Sequence, residues 1–154
     1  MRQSLGLLMK VGSTDGYANL AEVREILESE IAALAATRMT DEYIAAMQEA
    51  YQEMDVAYEN ADLFIEADLD FHLALAEATL NPLIPALMDT IVDLLREQRK
   101  RAALVEGGLR RSQFHHKKIL DAVIGHDQQA ARLAMQAHLE QVRKDLETSL
   151  LIKG

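Results

Sequence analysis

ADLDFHLALAEATLNP, residues 67–82, has the spacing of an amphipathic helix and decides how the rest of the chain is read. Phe71, Leu75 and Thr79 recur on one face, while Glu66, Asp70 and Glu77 take the other sides. Asp68 and His72, four apart, share the apolar face, so their side chains lie one above the other and can reach one point. A carboxylate on a core-facing surface is costly unless a cation or hydrogen-bond donors compensate it. His116 and His138, far along the chain, are the candidate companions. The expectation is that Asp68, His72, His116 and His138 hold one divalent metal ion at the floor of a ligand cavity. The spacing leaves an alternative open, a helical ion pair between Asp68 and His72 with ordinary core histidines.

Outward from this stretch the chain reads as helix throughout. Val23, Leu27, Ile31, Leu34 and Ala35 form a stripe in a helix from Leu20 to about Thr37, with Asn19 a candidate N-cap. Thr40 caps the next helix, whose stripe is Ile44, Met47, Tyr51, Met54 and Tyr58, and Asn60 caps the helix bearing Asp68 and His72, which ends near Leu80. Asn81 followed by Pro82 is a strong helix start. From there one long helix through Leu83, Leu87, Ile91, Leu94 and Leu95 is expected to about Leu104. Gly107 and Gly108 interrupt it, a further helix runs from about Leu109 to Ile124, and Asp127 caps the last. Residues 3–10 have the pattern of a short helix. No segment alternates with the period of a strand, so the fold class is all-α, an antiparallel bundle with short connections.

His138 interrupts a small, apolar stripe of Ala131, Ala134, Met135 and Val142, and His116 stands three before Ile119 and seven before Val123. Both therefore point inward, although His115 can also face the interior by its own spacing. His126 follows Gly125 in a turn and is expected at the surface. With no cysteine in the 154 residues, any metal must be held by nitrogen and oxygen. Three imidazoles and one carboxylate suit zinc first, with nickel, manganese or iron as alternatives.

The formal net charge of −9 argues against this chain alone gripping nucleic acid. The basic run REQRKR at 96–101 reads as a solvated helix face. No apolar run approaches the roughly 18 residues of a membrane span, and the opening MRQSLGLLMK lacks the long apolar region of a signal peptide. A cytoplasmic protein without membrane contact is expected.

The ordered set DLDFH at 68–72, NPL at 81–83, HKKILDAVIGHD at 116–127 and His138–Leu139 resembles the C-terminal effector-binding domain, the FCD domain, of FadR-type regulators in the GntR family. EVREILESEIAALAA, residues 22–36, is similar to that domain's first helix. The resemblance implies a bundle of six to seven helices enclosing a metal and ligand cavity. It implies Asp68, His72, His116 and His138 as metal ligands, and it prefers His116 over His115. It further implies a small organic acid as effector, with Arg24 pointing into the cavity and Asn81 facing it from a helix start. For Arg24 a surface ion pair with Glu28 is the alternative, and for Asn81 a capping role. Homodimerisation is implied as well.

Such regulators carry an N-terminal winged helix-turn-helix that reads DNA, and nothing before Leu20 is long or basic enough to be one. Residues 1–18 are therefore expected to be a linker or short helix following that domain, with 19–154 the helical effector-binding domain of a longer regulator. The competing reading is a metalloenzyme of the helical-bundle type acting on a small organic acid, for which no motif nominates a general base.

Overall fold

The computed structural model describes residues 14–151, and the expected helix at 3–10 lies outside them. Seven helices are present among the described residues: α1 Thr14–Arg38, α2 Asp41–Asp55, α3 Ala61–Glu77, α4 Leu83–Asp89, α5 Val92–Ala102, α6 Gly108–Ile124 and α7 Gln128–Ser149. There is no strand among those residues, so the fold is all-α as the periodicity implies.

Local chemistry sets most of the boundaries. Thr40 Oγ1 accepts from the Tyr43 N–H at 3.5 Å, Asn60 Oδ1 from Leu63 at 3.2 Å and Asp127 Oδ1 from Ala130 at 3.0 Å, each satisfying a donor that a helix start leaves unpaired. Gly107 starts α6 from a left-handed backbone with φ 76°, a conformation that side-chain-bearing residues rarely adopt. Asn81 Oδ1 takes the Leu83 N–H at 3.1 Å, so its capping role is real.

Three expectations need correction. α1 begins at Thr14, six residues before the expected start, and Asn19 lies inside it: a residue suited to capping does not stop a helix whose buried face continues through Leu20 and Ala21. The start of the α1 stripe also differs, for Val23 is 43% exposed while Arg24 and Glu28 are buried, although Ile31 and Ala35 are buried as expected. Finally, the single helix expected between Pro82 and Leu104 is two, α4 and α5. At the break the Thr90 and Ile91 N–H groups bond three residues back, to Leu87 and Met88, and Thr90 Oγ1 also takes the Leu87 carbonyl at 2.6 Å. The β-branched run Thr90-Ile91-Val92 disfavours continuation, and the hydroxyl supplies an alternative bond. The phase shifts accordingly, exposing Leu83 and Leu87 and turning Met88 inward.

The bundle is assembled from close pairs. α1 packs along α7, α2 along α3, and α6 along α7, with α2 also meeting α6 and α5 bridging α3 and α7. Short links make hairpins of α2–α3 and α6–α7. Met47 and Met54 of α2, Phe71 and Leu75 of α3, Ile119 and Val123 of α6 and Met135 of α7 belong to one apolar core. This brings the inner faces of α3, α6 and α7 together around the four candidate ligands.

Candidate metal centre

Asp68 and His72 project from α3, His116 from α6 and His138 from α7, and all four are buried. One donor atom from each side chain lies within 4.8 Å of the others. Asp68 Oδ1 is the meeting point, 2.9 Å from His116 Nε2 and 3.5 Å from His72 Nε2. The His116 and His138 ring centroids are 4.5 Å apart, and those of His72 and His138 are 5.4 Å apart. His115 is only partly buried, with its ring 6.3 Å from that of His138, and is not one of the four. His126 is exposed in its turn, as expected, with Nδ1 3.0 Å from the Ala36 carbonyl.

Each histidine has one ring nitrogen against a neighbouring side chain. Glu28 Oε1 lies 2.5 Å from His72 Nδ1, Gln113 Oε1 lies 3.0 Å from His116 Nδ1, and Arg99 Nη2 lies 3.1 Å from His138 Nε2. These holders are themselves held. Arg24 Nε donates to Glu28 Oε2 at 2.5 Å and its Nη1 to Gln98 Oε1 at 3.0 Å, while Gln113 Nε2 donates to the Tyr51 carbonyl at 2.9 Å. The acceptors Glu28 and Gln113 favour the N–H on Nδ1 and leave the Nε2 lone pairs of His72 and His116 free to ligate, whereas Arg99, a donor, faces the lone pair of His138 Nε2.

The remaining nitrogens are left without hydrogen-bond partners: His72 Nε2, His116 Nε2 and His138 Nδ1. For His116 Nε2 the 2.9 Å approach to Asp68 lacks the alignment of a hydrogen bond. Buried polar atoms are rarely orphaned, and three in one cluster call for a missing partner. A donor set of three imidazole nitrogens and a carboxylate, so close together and so supported, fits a divalent ion.

Charge in the centre is balanced within the chain. Arg99, on α5, grips the Asp68 carboxylate with both arms of its guanidinium, Nε to Oδ2 at 2.6 Å and Nη2 to Oδ1 at 2.8 Å. Burial alone pushes the Asp68 carboxyl up, but Arg99, with His72 and His116, holds it well below the usual carboxylate range. Glu28 is opposed by burial and lowered by Arg24 and His72 to about 2. Burial disfavours a charged His72, yet Glu28 and Asp68 raise its pKa above the ordinary value. Burial pushes His116 down to about 4, and burial with neighbouring His116 and Arg99 pushes His138 well below its ordinary value. Two of the three rings are thus biased to the neutral form that a metal requires.

Of the two residues expected at an effector, Arg24 is buried and paired with Glu28, one layer behind His72, so neither a cavity arginine nor a surface ion pair describes it fully. Asn81 is exposed, its side-chain oxygen on the Leu83 N–H, and the structure does not bring it to the cluster. Sequence reasoning missed Glu28, Gln113 and above all Arg99. The 96–101 run is not a uniform solvated face: Arg96 and Lys100 do meet exposed acids, but Gln98 and Arg99 are buried. The signal was there, since Leu95, Gln98, Arg99 and Ala102 follow one another at helical spacing from an apolar start.

The molecule is an all-α bundle domain in which a buried carboxylate and three histidines from three helices form a group that could hold a metal ion. The family model of the FCD domain matches residues 19–141, and the chain belongs to that family, the FCD domains of GntR-family regulators. It is similar to the HTH-type transcriptional regulator LutR of Bacillus subtilis (strain 168), 34% identical over 144 residues, covering 90% of this chain and 64% of that protein. It is also similar to the Uxu operon transcriptional regulator of Escherichia coli (strain K12), 35% identical over 145 residues, covering 85% of this chain and 54% of that protein. Among solved structures, Streptococcus agalactiae GntR superposes with a TM-score of 0.69 at 26% identity, covering 82% of this chain and 57% of that one. The chain thus spans less than two thirds of the length of these relatives. None of its described helices is long and apolar enough to cross a membrane.

Proposed function

We propose that this chain is the effector-sensing domain of a bacterial transcriptional regulator, with Asp68, His72, His116 and His138 holding one divalent ion, zinc first among zinc, nickel, manganese and iron. The observation that carries this reading is the convergence of four buried donors in which His72 Nε2 and His116 Nε2 lack a hydrogen-bond partner while the Nδ1 of each of those rings faces an acceptor. A divalent ion there supplies a Lewis acid to which a carboxylate oxygen of a small organic acid can bind. Glu28 and Gln113 orient the rings that receive the ion, and Arg24 keeps Glu28 in place. Arg99 is the cation in direct contact with Asp68 and His138. Asn81 has only its capping role in this reading.

The names of the relatives support regulation rather than catalysis. Residues 19–154 form the sensing unit, and DNA contact belongs to a winged helix-turn-helix outside this chain, in a cytoplasmic homodimer whose operator affinity shifts when the effector favours one state of the bundle.

The test is metal analysis of the purified domain beside a His138→Ala variant. About one ion per chain, lost in the variant, is the expected result, followed by thermal stabilisation by small carboxylates that are bound saturably and not turned over. Wild-type protein that cannot be loaded with zinc, nickel or manganese would remove the metal from this account. Turnover of a bound acid would instead identify a metalloenzyme.

A further inference from the structure

Arg99 is buried against the four-residue cluster. It is 6% exposed, and its guanidinium reaches two members of the four-residue cluster at once. Its Nη2 lies on Asp68 Oδ1, the same oxygen that faces His116 Nε2 and His72 Nε2, and on His138 Nε2. Its Nε holds the other carboxylate oxygen, so the fork occupies both oxygens of the cluster's acid.

We propose that Arg99 is a built-in counter-cation of the metal-free centre, and that its grip on Asp68 and the seating of a metal ion exclude each other. The inference rests on the reading of the four residues as a metal site and adds to it an internal competitor.

The argument is one of charge and shared atoms. Without a cation, the Asp68 carboxylate would be buried and uncompensated, which a folded chain avoids. Arg99 supplies that charge with a bidentate geometry that suits a carboxylate better than any lysine can. A divalent ion bound to Asp68 would sit roughly 2 Å from the carboxylate oxygen. The guanidinium, 2.8 Å from the same oxygen in a site that excludes water, would then face a doubly charged neighbour at close quarters.

Release does not strand Arg99. It already lines a small cavity between α3, α5, α6 and α7 whose wall also carries Ser112, Gln141 and Asp145. Asp145 there already accepts from Arg111 and Gln141, and Ser112 donates to Gln141, so a displaced Arg99 would share the Asp145 carboxylate with Arg111. Because Arg99 is on α5 and Asp68 on α3, the exchange also cuts the buried tie between those helices, so occupancy of the centre becomes a mechanical signal in the bundle.

The experiment compares zinc affinity of chelator-stripped wild type, Arg99→Gln and Arg99→Lys by competition with a chromophoric chelator. Alongside it, the Arg99 Nε–H resonance of the wild type, assigned from its absence in Arg99→Lys, is followed during zinc titration. Both variants are expected to bind zinc at least about tenfold more tightly than wild type, because the resident competitor is lost or can no longer bridge Asp68 and His138. In the wild type, the Nε–H signal, protected by Asp68 in the stripped protein, is expected to shift and exchange rapidly with solvent as zinc saturates.

Equal or weaker affinity in the folded variants would overturn the proposal while leaving the metal site standing. Tighter affinity with an unmoved Nε–H signal would also overturn it, since the guanidinium would then have stayed on Asp68. Should Arg99→Gln fail to fold, Arg99→Lys and the wild-type resonance decide. Failure of all three proteins to bind zinc, nickel or manganese would instead bring down the metal reading, and this inference with it.

Discussion

The bundle has two interiors, equally dry and differently built. Between α2 and α3, Met47, Ala50 and Met54 share an apolar cluster with Phe71, Ala74 and Leu75. Toward α1, α5, α6 and α7, that cluster continues through Ile31, Leu95, Ile119 and Met135, but it surrounds a buried polar group of Asp68, three histidines, Glu28, Arg24, Gln98 and Arg99. Both regions exclude solvent, and α3 contributes to each. In the first, stability comes from area and fit, which tolerate exchange of one apolar shape for another. In the second, every group is there because another holds it, so the loss of one leaves a buried charge or donor without its answer.

The sharpest way to break this contrast is Asp68→Ala. It removes the carboxylate that Arg99 grips with both arms, and in chelator-treated protein unfolding stability should fall by about 3–5 kcal/mol, measured by urea denaturation. Replacing both partners, as in Asp68→Leu with Arg99→Met, should recover most of that loss, although zinc binding stays abolished. If the double variant is as unstable as the single one, the polar interior is not held together by pairing. Met47→Ala, in the apolar interior, should cost about 2–5 kcal/mol through the cavity it opens, and Met47→Leu less than about 1.5 kcal/mol. Neither should alter zinc affinity, and a large change there would mean that the two interiors are mechanically one.

Glu28→Gln tests the polar side alone. It keeps the shape and removes the charge that faces His72 Nδ1 and Arg24. Zinc affinity should fall roughly 10-fold or more, as for other outer partners of ligating histidines. Unchanged affinity in a calorimetric titration would reduce Glu28 to a purely structural ion pair with Arg24.

These two interiors also differ in how far the sequence exposes them. The apolar one is legible, because Phe71, Leu75 and Met47 recur at the helical period and any inward rotation that buries them is near the true one. Helix caps at Thr40, Asn60 and Asp127 are legible for the same reason, being decided by neighbours within three residues. The four candidate ligands stood out because acids and histidines on apolar faces are rare. Their supports did not, since Glu28 and Arg99 become partners of His72 and Asp68 only through contacts 44 and 31 residues away in the chain. In α1 the apolar pattern puts Val23 inside, where the structure exposes it, and offers Glu28 only as a surface partner of Arg24, not as the buried partner of His72. The break at Thr90 and Ile91 shows the other limit: the apolar pattern runs on across it, while a side-chain hydroxyl and three β-branched residues in succession decide the backbone.

A substitution outside both interiors sharpens the comparison most economically, by separating global stability from the centre. Asp127 caps α7, the helix that carries His138, through its bond to the Ala130 N–H, but it touches neither interior. Asp127→Ala should remove about 1 kcal/mol, within the usual range for a lost cap, and lower the melting temperature by roughly 2–4 °C. The helix itself is fixed along α1 and α6 by its buried stripe from Ala131 to Leu146, so His138 should keep its place. Zinc affinity should therefore be unchanged in the folded variant. If it falls along with the melting temperature, the position of His138 depends on how α7 begins, and the polar interior reaches beyond the pairs that hold it.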